Sequence, residues 1–173
     1  FAIEHVYGHH KHVGTEEDAA TARKGETFYR FLIRSVPNQY RSAWEIERKR
    51  LKQKKKGFWS FSNEMLGFQV TQLAWMSLIV WLMGPMVALI YLVSCVLAFS
   101  LLEAVNYLEH YGLERKKDER DRYKKVDNHH SWNSDQVVSR MFLFELSRHS
   151  DHHMVASRHY QVLRSLDNSP QLP

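Results

Sequence analysis

The sequence is nearly devoid of cysteine. Cys95 stands alone among 173 residues, so no disulfide forms within the chain. A lone thiol in an apolar stretch is expected to pack as a small hydrophobe without a chemical role. Internal repeats and low-complexity tracts are also absent, which leaves one domain for a chain of this length. The start lacks a basic segment followed by a short apolar one, so a cleaved signal peptide is not expected. The chain opens on Phe1 rather than Met, which predicts a piece of a longer protein. Average hydrophobicity is lacking too, with a mean hydropathy of -0.47. That average conceals the most informative absence: from Met65 to Leu102 there is no Asp, Glu, Lys, Arg or His.

The gap holds 38 apolar or weakly polar residues. As one helix they would run about 57 Å at 1.5 Å per residue, against about 30 Å of bilayer hydrocarbon. The run therefore reads as two transmembrane crossings, 65–83 and 86–102, split at Gly84-Pro85 where a turn costs least. From Arg41 to Lys56 there are eight Lys/Arg against two Glu, and from Glu114 to Lys125 seven against four acidic residues. A hairpin puts both flanks on one side, and basic flanks mark the cytoplasmic side. The rival reading, a hairpin buried in a soluble all-α protein, would have to hide a long uncharged run in a small domain. The net charge of +5 is gathered beside this run, which points to a membrane surface and away from nucleic acid. Within the basic stretches, 48–56 and 115–125 suit lipid headgroups.

Elsewhere the pattern is helical. Phe28, Phe31, Leu32 and Val36 recur at helical spacing from Thr27, and Pro37 is expected to end that short interfacial helix. Residues 40–56 read as a separate polar helix with a basic end. Ser134 is a candidate N-cap for a helix whose stripe, Val137, Val138, Met141, Phe142 and Leu146, leads into Arg148-His149-Ser150-Asp151-His152-His153. The expected fold class is all-α: an integral membrane helical bundle with a transmembrane hairpin and cytoplasmic His-bearing helices, one partial catalytic domain over 1–173.

The chemistry lies in the histidines. In EHVYGHH, His5 and His9 are four apart on one helical face and His10 lies about 100° further round. In RHSDHH, His149, His152 and His153 stand at i, i+3 and i+4. His110, within NYLEHYGL, lies at the end of an apolar span, where an ionisable residue is a functional hypothesis by default. Neutral imidazole is a common metal ligand, and seven of them exceed one tetrahedral site, so two metals are expected. Glu4, Glu109 and Asp151 are candidates to hold second ring nitrogens. His12, His129, His130 and His159 fit no cluster and read as supporting, loop or surface residues. Imidazole alone does not choose among Zn, Cu, Fe and Ni. An apolar hairpin beside the site implies a hydrocarbon substrate, and attack on an unactivated C–H bond needs a redox metal with oxygen, which favours iron. A His-rich membrane metal transporter or sensor is the non-enzymatic alternative, but it calls for polar residues lining the hairpin, and these are scarce.

EHVYGHH, NYLEHYGL and SRHSDHH, in this order and separated by a hydrophobic hairpin, resemble the second, third and fourth signatures of the membrane alkane monooxygenases. That family stands with the membrane fatty-acid desaturases and xylene monooxygenases. ARKGETFYRFLIRS, SAWEIERKRL and HSWNSD are also similar, so the resemblance spans residues 3–166. It implies a non-haem di-iron centre held by His5, His9, His10, His110, His149, His152 and His153. It further implies terminal hydroxylation of medium-chain n-alkanes with O2, electrons from a rubredoxin fed by a rubredoxin reductase, and a multi-pass place in the bacterial inner membrane. A related desaturase or hydroxylase acting on fatty acyl or alkyl-aromatic substrates is the alternative. The family's first signature, an HExxHK-type motif supplying two further ligands, is absent and is expected upstream of Phe1. Ser147 replaces an expected Gln, Met154-Val155-Ala156-Ser157 follows the histidines, and His159 replaces an Arg; these changes leave the ligands intact.

Overall fold

The computed structural model describes residues 1–172. It contains α1 (Ala2–Glu4), a π-helical turn (His5–His9), α2 (His10–His12), α3 (Phe28–Gln53), α4 (Glu64–Met83), α5 (Pro85–His110), α6 (Val137–Phe142) and α7 (His149–Met154). Isolated bridges pair Lys117 with Tyr123 and Asn133 with Gln171, and no strand forms among the described residues.

α4 and α5 form the transmembrane hairpin. Both are long and apolar enough to cross a membrane, and almost none of either is buried within the protein. Side chains such as Leu73, Trp81, Leu92 and Leu97 point outward. Two helices exposed in this way are incompatible with burial in a soluble core; the chain is an all-helical membrane protein. Gly84 makes the turn at φ 85° and ψ 167°, a conformation essentially reserved for glycine, and Pro85 follows at the first turn of α5, where its missing N–H costs nothing. Cys95 is exposed on α5, on the lipid-facing surface rather than packed inside.

α5 departs from the expected end at Leu102. Its 26 residues amount to about 39 Å, so the helix outruns the hydrocarbon and carries Glu103, Asn106, Glu109 and His110 beyond it as a buried polar face. Pro37 likewise does not end a helix: α3 runs through it for 26 residues. Proline removes one backbone bond, but a row at every fourth position, Phe31, Ser35, Gln39, Ala43, Glu47 and Leu51, is buried along the whole length. Tertiary packing outweighs the local break. Thr27 caps the start by accepting from Arg30 N. At the other end Glu47 takes the Glu64 amide at 2.7 Å and two bonds from Arg50, which ties α3 to the entry of the hairpin.

The apolar core is small. Ile3, Ala43 and Met65 form it, with Trp44 and Ile46 against them. Most buried side chains are polar, including His9, His110, Glu47, Glu103, Asn133 and Asp151. The interior of this end of the molecule is built around a polar site.

Two further expectations are corrected. Ser134 does not cap α6, which starts at Val137; Ser134 is buried and its amide donates to the Ser147 carbonyl at 2.8 Å. The stripe on α6 faces outward and does not run on into α7, because Phe144 and Glu145 adopt φ of 50° and 64° and break the helix.

Candidate metal centre

The seven histidines sort into two adjacent groups. His9, His110, His149 and His153 are all buried, His5, His10 and His152 are half-buried, and within each group the ligand atoms lie within 4.8 Å of one another. The neighbours His9/His10 and His152/His153 are each divided, one ring to each group. The groups abut: His10 and His153 have ring centroids 4.6 Å apart, and His5 and His9 5.2 Å.

The division comes from the backbone. A single-face α-helix through His5, His9 and His10 is not what forms. His5–His9 is π-helical, and the His10 amide reaches back to the His5 carbonyl. An i to i+5 repeat aligns His5 with His10, whose Nε2 atoms are 3.2 Å apart, and releases His9 to the other side. Such single π-turns are frequent at functional sites. In α7 the ordinary repeat places His149 and His153 together and leaves His152 beside His10, with ring centroids 4.6 Å apart.

Electrostatics favour ligands. Burial and neighbouring imidazoles hold His5 down at about 3 and His10 at about 4, and push His149 and His153 well below the usual range. These rings are neutral near pH 7, the state a metal requires. Burial also opposes protonation of His9, but the Asp18 carboxylate overrides it and raises this one ring. In the buried group, His149 Nε2 stands 3.0 Å from His110 Nε2 and 2.9 Å from His153 Nε2. One ring nitrogen has a single in-plane proton or lone pair, so it cannot serve both neighbours by hydrogen bonding. Nitrogens about 2.1 Å from a shared cation would stand about 3.0 Å apart when adjacent in an octahedron. His9 Nε2 is buried with no hydrogen-bond partner. The donor set therefore fits a cation.

The supporting carboxylates differ from expectation. Glu109 Oε2 stands 3.3 Å from His149 Nδ1, without hydrogen-bond alignment. Glu4 reaches no ring: its carboxyl curls over Gly8, where an added Cβ would meet Oε1 at 2.7 Å. Burial, with Asp18 nearby, pushes Glu4 up to about 7. Asp151 points away from the clusters. It accepts from Arg158 and from the amide and guanidinium of Arg164, because these two arginines come from the chain that wraps behind α7. The residue that spacing does not reveal is Asp18. It accepts from His9 Nδ1 at 2.8 Å and from Thr21 Oγ1 at 2.6 Å, from a loop whose sequence is merely small and polar.

A second unforeseen feature is the loop 130–134. Trp132 donates its amide to Glu109 O and its indole to Tyr111 O, both at the end of α5. Asn133 is fully buried and takes the Ser150 amide of α7 at 2.8 Å. The loop thus spans from the helix of His110 to that of His149. Of the remaining histidines, His12 pairs with Glu17 and His129 with Asp127. His130 accepts from the Asp127 amide, His159 is exposed, and none joins a cluster.

Fold and site together define a class: an all-helical integral membrane protein with a polyhistidine site at one end of a transmembrane hairpin. The fatty acid desaturase family model matches residues 1–173, and the chain belongs to that family. It is 43% identical over its full length to alkane 1-monooxygenase 1 of Pseudomonas aeruginosa and 44% to alkane 1-monooxygenase of Acinetobacter baylyi. Over 171 residues it is 31% identical to the xylene/toluene monooxygenase hydroxylase component XylM of Pseudomonas putida. The chain spans 45%, 42% and 45% of the lengths of these three relatives.

Proposed function

We propose that this chain is the histidine-bearing part of a membrane alkane monooxygenase. It would hydroxylate the terminal methyl of medium-chain n-alkanes with O2 and electrons from a rubredoxin, itself reduced by a rubredoxin reductase. The observation that carries this reading is the division of seven histidines into two touching groups, since it offers two metal positions instead of one. His9, His110, His149 and His153 would hold one ion, and His5, His10 and His152 the other. On the resemblance, further ligands come from a motif outside this chain. Two iron ions held there would supply the redox chemistry that activates dioxygen.

The protein's own residues do the rest. Asp18 holds His9 from behind through its Nδ1, and Glu109 lies beside His149. A mainly apolar cavity of about 530 Å³ lies between α1, α3 and the hairpin, lined by Ile3, Val36, Met65 and Phe68 with Gln39, Gln69, Gln72 and Glu103 also at its wall. Phe1 at its edge stacks on His5 with centroids 4.8 Å apart. An apolar space opening beside the clusters suits an alkyl chain that arrives through the membrane.

Iron per chain in the detergent-solubilised full-length protein, together with products from octane, tests the proposal. The expected result is two iron ions and 1-octanol, with His110→Ala losing iron and activity together. Full retention of both by that variant would remove His110 from the ligand set. A hydroxylase of alkyl aromatics or acyl chains is the second reading, supported by the likeness to the xylene/toluene enzyme. An unsaturated product from a fatty acyl substrate, with no alcohol from octane, would replace the first reading with a desaturase.

A further inference from the structure

Helix α6 is built inside out. Val137, Val138, Met141 and Phe142 share one face and are 66%, 66%, 72% and 80% exposed. The opposite side is turned to the protein: Ser139 and Leu143, with Val105 and Leu108 of α5, line a small cavity of about 110 Å³. With Ser139 and Leu143 inward and four large apolar side chains outward, the exposed face reverses the pattern of a helix in water. The turn that follows extends the patch, because Phe144 sits at φ 50° and remains 66% exposed.

Charge tells the same story. Between 136 and 147 the only ionic residues are Arg140 and Glu145, and they neutralise each other through two hydrogen bonds of 2.8 and 2.9 Å. Position decides the medium. On α5, Leu97, Leu101, Val105 and Leu108 follow at helical spacing, and Leu97, Leu101 and Leu108 are 61%, 69% and 51% exposed. This stripe climbs the lipid-facing side of the span and ends against α6. The exposed apolar face of α6 therefore sits at the end of α5 where the hydrocarbon-facing stripe of Leu97 and Leu101 finishes.

We propose that residues 137–144 are a lipid-docking surface, with α6 lying in the boundary between headgroups and acyl chains and Met141 and Phe142 inserted. The occupant is the bilayer itself. Because the segment is charge-paired and has no lysine, it needs no anionic lipid. Docking would hold the chain just before α7, and so its three histidines, at a set height above the hydrocarbon.

The test uses the full-length protein in phosphatidylcholine nanodiscs, in a cysteine-free background, with a fluorophore on Met141→Cys and, separately, on Glu119→Cys. The Met141 probe should be blue-shifted and several-fold more quenched by shallow nitroxide lipid than by aqueous iodide. The Glu119 probe should show the reverse. Replacing a third of the lipid by phosphatidylglycerol should leave the Met141 result unchanged. Iodide quenching at Met141 would overturn the proposal, as would protection from both quenchers, which would mean that another protein segment covers α6. If the labelled variants do not fold, unmodified protein can be photolabelled with a diazirine-bearing phosphatidylcholine. Absence of lipid adducts on 137–144 would overturn the proposal equally. Neither measurement requires metal or turnover, so failure here is separable from failure of the proposed activity.

Discussion

The ring of His9 is held from behind, with Asp18 on Nδ1 and Nε2 facing the buried cluster. Partners of this kind set ring orientation and ligand basicity, and their loss typically costs about 10- to 100-fold in metal affinity. Asp18→Asn in the full-length protein should weaken metal binding by roughly that factor in a chelator competition; unchanged affinity would make the contact purely structural. The depressed histidines set a pH response. His5 titrates at about 3 and His10 at about 4 when folded, against about 6.5 unfolded. Between those values the unfolded chain binds more protons, so stability is lost as pH falls from about 6.5 towards 3. His149, His152 and His153 add to this, while His9, raised by Asp18, and Glu4, raised to about 7 by burial, oppose it. Metal-free protein should melt at a lower temperature at pH 4.5 than at pH 7.5, and an unchanged Tm would refute the burial of these rings. The histidines themselves were legible, since residue type and close spacing name them. Asp18 was not, because a loop aspartate nine residues from its partner carries no local signal.

At the scale of elements, the loop 130–134 joins the helices that bear His110 and His149. Asn133 accepts from the Ser150 amide and donates to Ser169 Oγ, and Ser150 Oγ donates to the Ser131 carbonyl. Removing the acceptor strands a buried amide at the start of α7, at a cost of about 1–3 kcal/mol. Asn133→Ala should therefore lower Tm measurably in detergent and reduce metal content, with Asn133→Asp, which keeps the acceptor, recovering part of both. Equal behaviour of the two variants would show that the Ser150 bond is unimportant. Element by element, the hairpin and its turn followed from the absence of charge and from Gly84-Pro85. The π-turn at His5–His9 and the passage of α3 through Pro37 did not, because both are imposed by what the helices pack against.

Over the whole molecule, the two basic stretches and the polyhistidine site lie at the same end of the hairpin, since α4 starts and α5 finishes there. If positive flanks set orientation, Lys56→Cys and Glu119→Cys in the full-length protein should react with an impermeant maleimide in cells only after the membrane is opened. Labelling in intact spheroplasts would invert the topology and place the site outside.

The uncharged run and the clustered imidazoles are local facts of composition and spacing, and from them the sequence by itself determined a membrane hairpin with a metal-type site beside it. Which histidine joins which group is not local. It depends on a π-turn, on a loop carboxylate and on a clamp between α5 and α7, all of which exist only when distant segments meet. The same holds for α6: its apolar stripe is plain in the sequence, but whether that stripe faces inward or outward depends on what Ser139 and Leu143 pack against. Only the tertiary structure decided that, because burial is a property of neighbours and not of the residue.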